Sequence, residues 1–218
     1  MKIRILLLLF TFYCSISVIP QEILNNEFWI ESEPIVPDTE YPLSSDELQM
    51  RVLREVQFVY SGMVFGFEFR YVPAHPQRQI SEEFEVAPIA RISWGDPRLE
   101  IRETRQEDRL FYARCVYTIS EELMSWRIGW ESNAIPDAAG WGAADLSDGW
   151  QAKFTAMENG IKEAVRNYLS SRIFNRPREI TGAVLFEEPP RVIIREGEYR
   201  AQVEIKLRID DVRPYEIF

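Results

Sequence analysis

Histidine, cysteine and long apolar runs are scarce in this sequence, and each scarcity closes a route. The one histidine, His75, would have to carry any histidine-based metal cluster or Ser/His/Asp triad. It stands between Pro73 and Pro76 with no acid or cysteine at ligand spacing, so it reads as a turn residue. The two cysteines, Cys14 and Cys115, are too few for a disulfide framework or paired zinc knuckles. No Walker A loop, Gly-rich dinucleotide turn or Gly-x-Ser-x-Gly elbow is written anywhere. Neither a cofactor nor a metal is expected. No apolar run reaches the ~20 residues of a membrane-spanning helix.

Basic residues are also in deficit. The 218 residues carry 25 basic and 35 acidic side chains, a net charge of −10. A phosphate backbone repels such a surface on average, so nucleic acid is not an expected partner. With 46% hydrophobic and 28% charged residues, the chain has the composition of a globular protein with a real core.

The N-terminus has the layout of a secretory signal. Lys2 and Arg4 form a positive start, Ile5 to Tyr13 a short apolar stretch, and Ser15-Ile16-Ser17 places small residues where a signal peptidase reads. We expect residues 1–17 to be a cleaved signal peptide and the mature chain to be exported. The competing readings are an uncleaved anchor and lipidation at Cys14. Phe12 and Tyr13 stand where a lipoprotein signal needs small residues. Loss of Cys14 would leave Cys115 alone, on a strand face with Phe111, Ala113 and Tyr117, as a core thiol.

Residues 18–42 contain Pro20, Pro34, Pro37 and Pro42 and are expected to form an extended N-terminal arm, with Phe28-Trp29-Ile30 as its anchor. A first helix begins near Ser45. Ser44 and Glu47 match a capping box, and Leu48, Val52, Val56 and Val59 recur at helical spacing up to a stop at Gly62. Period-two patterns predict strands over 64–72, 81–94, 98–105 and 109–119. Residues 120–149 look irregular. A second helix is expected from Ser147 or Asp148, with Phe154, Met157, Ile161, Val165 and Tyr168 inward. Strands over 179–187, 191–195 and 198–209 close the chain. The last alternates Tyr199, Ala201, Val203, Ile205, Leu207 with Arg200, Gln202, Glu204, Lys206.

Helix, four strands, helix and three strands make an α+β fold, two amphipathic helices on antiparallel meander sheets, in one domain over 43–218. Two similar halves, 43–119 and 147–218, are a further expectation from the repeated order. Two amphipathic helices and so few strands do not suit a transmembrane barrel.

The tryptophan-rich stretch is the most distinctive feature. Trp126, Trp130, Trp141 and Trp150 share a segment with glycines at 129, 140, 142 and 149. Indole faces stack on sugar rings and glycines permit close approach, so these four are the candidate ligand-binding residues. The alternative is that they fill the space between sheet and helix. Carboxylates outside the helices, among them Glu82, Glu83, Asp96 and Glu131, leave a two-carboxylate glycan hydrolase as the second functional reading. Asp137, Asp145 and Asp148 do not match an EF-hand and read as a solvated acidic loop.

Three stretches, SGMVFGFEFRYVP at 61–73, WGDPRL at 94–99 and FNRPREITGAVLFEEPPR at 174–191, together resemble uncharacterised exported proteins of diderm bacteria. The resemblance implies a periplasmic or outer-envelope setting and brings no activity. The expectation is thus a non-catalytic envelope module, binding or structural, whose partner is an envelope protein or a glycan.

Overall fold

The computed structural model describes residues 22–35, 41–173 and 177–215. The expected signal at 1–17 lies outside them. The described chain is α+β. Its elements run β1 (Ile23–Glu31), α1 (Ser45–Val64), β2 (Phe67–Val72), β3 (Glu83–Pro88), β4 (Leu99–Glu107), β5 (Leu110–Thr118), α2 (Glu121–Ile128), β6 (Asp137–Asp145), α3 (Ala152–Ser170), β7 (Glu179–Phe186), β8 (Arg191–Arg195) and β9 (Glu198–Arg213). All pairings are antiparallel. One sheet has the order β1-β5-β4, the other β3-β2-β7-β9-β6, with β8 also on β9.

The two long helices lie side by side on one face of the larger sheet. Gly62 of α1 rests on the rings of Phe67 and Phe186, where an added Cβ would stand 2.4–2.8 Å from ring carbons. This explains why α1 runs through Gly62, the expected stop, to Val64. The glycine serves close packing within the helix. At its start the capping box forms: Ser44 Oγ accepts from the Glu47 N–H, and a Glu47 carboxylate oxygen accepts from the Ser44 N–H at 2.7 Å. The smaller sheet covers the far side of α1. Tyr60 stacks edge-on against Phe28 of β1 at 5.4 Å and donates its hydroxyl to the Cys115 carbonyl of β5 at 2.8 Å.

Residues 23–31 of the expected arm are extended as strand β1, paired along its whole length with β5, and the expected anchors Phe28 and Ile30 are core residues. Other expectations need correction. The irregular stretch 120–149 contains α2 and β6. The strand β6 reads DAAGWGAAD, with none of the branched residues that favour strands. It exists because its glycines let α3 approach. A Cβ on Gly140 would sit 2.3 Å from the Ala164 nitrogen, and one on Gly142 would sit 2.1 Å from the Ala156 oxygen. The helix starts at Ala152 because Asp145 accepts from the Ser147 N–H at 2.8 Å and holds 146–148 in a separate short 3₁₀ turn. The two expected halves share one sheet through the β2–β7 pairing, while β4 and β5 belong with β1.

Candidate functional site

Between α1, α3 and the end of β3 lies a cleft of about 580 Å³, within the size range of small-molecule sites. Its walls are two helical stripes. Arg54, Gln57, Phe58 and Ser61 line it from α1, and Gln151, Phe154, Thr155 and Glu158 from the start of α3 and the residue before it. Both sets follow the spacing that puts side chains on one helix face. The floor is aromatic: Phe58 meets Phe154 edge-on at 5.4 Å and Phe67 at 5.1 Å. Trp150 closes one end, edge-on to Phe154 at 5.5 Å.

The third wall is pinned to α1 by Ile92. Its N–H donates to Ser61 Oγ at 3.0 Å, and its carbonyl accepts from Gln57 Nε2 at 2.6 Å. The Ile92 side chain is itself buried, so Val86, Ala87, Pro88 and the neighbouring Arg91 are held along the cleft rim. Electrostatically the rim is mixed. Arg54 lies 5.8 Å from the Trp150 ring centre. Neither Arg54 nor Arg91 has a carboxylate partner among the described residues. Burial raises the pKa of Glu158 above the ordinary carboxylate value.

The four expected indoles do not form one surface. Trp150 belongs to the cleft. Trp130, at 3% exposure, packs on the opposite face of the larger sheet against Ala183 and Leu185, with Arg208 over its ring at 5.2 Å. It is buried, and it lies on the other side of the sheet from Trp150 and the cleft. Trp126 is 48% exposed and donates its indole N–H to the Phe65 carbonyl at 3.4 Å. Trp141, 52% exposed, points away from α3 because its neighbours Gly140 and Gly142 point toward it.

Of the candidate carboxylates, Asp96, Glu82 and Glu83 sit in separate ion pairs, and Glu131 lies by Trp130, away from the cleft. The Arg98 side chain hydrogen-bonds both oxygens of Asp96, at 3.0 and 2.7 Å, and holds its carboxyl below the usual range. Glu82 accepts from Tyr71 at 2.8 Å and pairs with Lys162 at 2.7 Å. Among the described residues no group of three His, Cys, Asp or Glu side chains is placed to hold a metal ion. No helix among them is long and apolar enough to cross a membrane.

A protein-family model matches residues 13–215 of the chain. The chain belongs to that family, a family of uncharacterised proteins. One relative, called "Uncharacterized protein", is from Treponema pallidum (strain Nichols). It is 23% identical over 169 residues, which cover 77% of this chain and 71% of the relative. No solved structure matches.

A second polar constellation went unseen in the sequence. Lys153 of α3 donates to a Glu55 carboxylate oxygen at 2.7 Å and to the Trp29 carbonyl at 2.5 Å, with its ammonium 3.9 Å from the Trp29 ring centre. Glu31 accepts from the Tyr199 hydroxyl at 2.6 Å nearby. All four of these ionisable side chains are buried, so they tie β1, α1, α3 and β9 together and do not face a ligand. The signal was present. Glu55 follows Val52 by three, and Lys153 precedes Met157 by four, so both charges fall on the apolar stripes.

Proposed function

We propose that this protein is an exported, non-catalytic module of the cell envelope that seats an envelope ligand in the cleft between α1 and α3. The observation that carries the reading is the cleft itself: an aromatic floor with a few polar groups at the rim is binding chemistry. Export is supported by the signal-like layout of residues 1–17. A two-carboxylate hydrolase has less support. Among the described residues lining the cleft, Glu158 is the one acid, whereas glycoside hydrolysis needs a pair at a set separation.

Two measurements test this. Thermal unfolding against a panel of neutral and acidic oligosaccharides, peptides and amphiphiles should give a ligand-dependent rise in Tm. The rise should vanish in Thr155→Trp, which fills the cleft. A panel without effect on the wild-type protein would remove the binding role. N-terminal sequencing of protein recovered from fractionated cells should begin after Ser17, and an intact leader on cytosolic protein would remove export.

A further inference from the structure

We propose that the ligand of this cleft is an amphiphilic monoanion: an alkyl or aromatic body laid on Phe58, Phe154 and Trp150, and one carboxylate or phosphodiester held by Arg54 and Arg91. The inference rests on the cleft being a binding site, as argued above, and names the chemical class that fits it.

The arginines of this protein fall into those with carboxylate partners and those without. It is an acidic chain, with 35 carboxylate side chains to pair with. Many of its arginines do pair: Arg70 with Glu179, Arg98 with Asp96, Arg105 with Glu27, Arg200 with Glu196 and Arg213 with Glu179. Arg54 and Arg91 have no such partner among the described residues, yet both line the same cleft. Arg54 and Arg91 are exposed at the rim, so two guanidinium groups without a carboxylate partner stand at the mouth of one apolar-floored cleft and draw negative charge to it. The planar guanidinium fork fits a carboxylate or a phosphate. A neutral sugar would use the aromatic floor and leave both cations unanswered.

The floor sets the other half of the ligand. The rings of Phe67 and Phe154 each pack on Phe58, and the cleft's apolar contribution comes from these together with Val86, Pro88 and Trp150. An apolar body placed there is driven by burial of hydrocarbon surface. Glu158 limits the charge. It is a carboxylate lining the cleft with no ion-pair or hydrogen-bond partner among the described residues, so it repels a second negative charge and favours a monoanion.

The test compares decanoate, decyl methyl phosphate, uncharged decanol and a neutral oligosaccharide, each below its aggregation concentration, by calorimetry on the folded protein. The variants are wild type, Arg54→Gln/Arg91→Gln and Thr155→Trp. Their circular dichroism and urea midpoints are recorded alongside, and a double variant with an altered fold is replaced by the single Arg54→Gln and Arg91→Gln substitutions, each of which should weaken the preference. One or both decyl anions should bind about tenfold or more tighter than decanol, as expected for a charge-assisted contact. Preference for decanoate or for decyl methyl phosphate identifies the headgroup. The double variant should lose that preference and keep the weak decanol affinity. Equal binding of decanol and the anions, or a preference that survives the double substitution, overturns the proposal. Binding of the oligosaccharide alone, blocked by Thr155→Trp, overturns it and leaves the module reading standing. Absence of binding by every probe overturns it too. If the wider panel is then also without effect, the module reading falls with it.

Discussion

Lys153 on α3 and Glu55 on α1 form an ion pair 2.7 Å long with 3% and 5% of their surfaces exposed, and the same ammonium caps the Trp29 carbonyl of β1. One side chain thus joins both long helices to the smaller sheet. Removing one partner strands the other charge in the interior. We expect Lys153→Met to cost about 3–5 kcal/mol, whereas Glu55→Leu/Lys153→Met should recover most of that loss. Urea midpoints of the two variants measure it. A single variant as stable as wild type would show that the pair is not buried.

The contact between β6 and α3 leaves no room for a methyl group. A Cβ on Gly142 would lie 2.1 Å from both the Ala156 oxygen and the Gly160 nitrogen. Gly142→Ala should therefore destabilise by at least about 1–3 kcal/mol, the range for overpacked interiors. Ala143→Val, one residue along on the exposed side, should change the unfolding midpoint little. Similar losses at the two positions would sink the close-approach account of this strand.

Glu158 predicts a pH signature. Burial raises its folded pKa above the ordinary 4.5, so the native state holds its proton more tightly than the unfolded chain does. Stability from this group is complete below the unfolded pKa and is lost as pH rises through the folded value. Glu158→Gln should gain on wild type as pH rises from 4 toward 7, and the gap should close on acidification. Urea titrations at several pH values check the slope, and a gap independent of pH would falsify the assignment.

Cys115 is fully buried on β5, and burial pushes its thiol up to about 12. Native protein at pH 8 should leave it unmodified by iodoacetamide, with alkylation appearing only in denaturant. Peptide mapping distinguishes it from Cys14. Rapid labelling of Cys115 in the folded protein would contradict its place in the core.

Elements with their own periodicity were legible from the sequence alone. The alternation from Tyr199 to Leu207, the aromatic run at 67–71 and the α1 stripe from Leu48 to Val59 each carry enough hydrophobic contrast to declare strand or helix and the face that is buried. That is sufficient for the α+β class, since local pattern and final burial agree in those segments. Tertiary structure decided the rest. The strand β6 has small residues in place of a pattern, and only the approach of α3 makes them a strand. Trp130 and Trp141 look equivalent in sequence. Trp130 is inside because it covers Ala183 and Leu185, while Trp141 is outside because the alternation of β6 turns it away from α3. The cleft likewise combines residues from α1, the end of β3 and α3, which only folding brings together. Local sequence encodes the periodicity of a segment, but what covers its faces depends on distant segments, and both the cleft and the buried ion pair belong to that second kind of information.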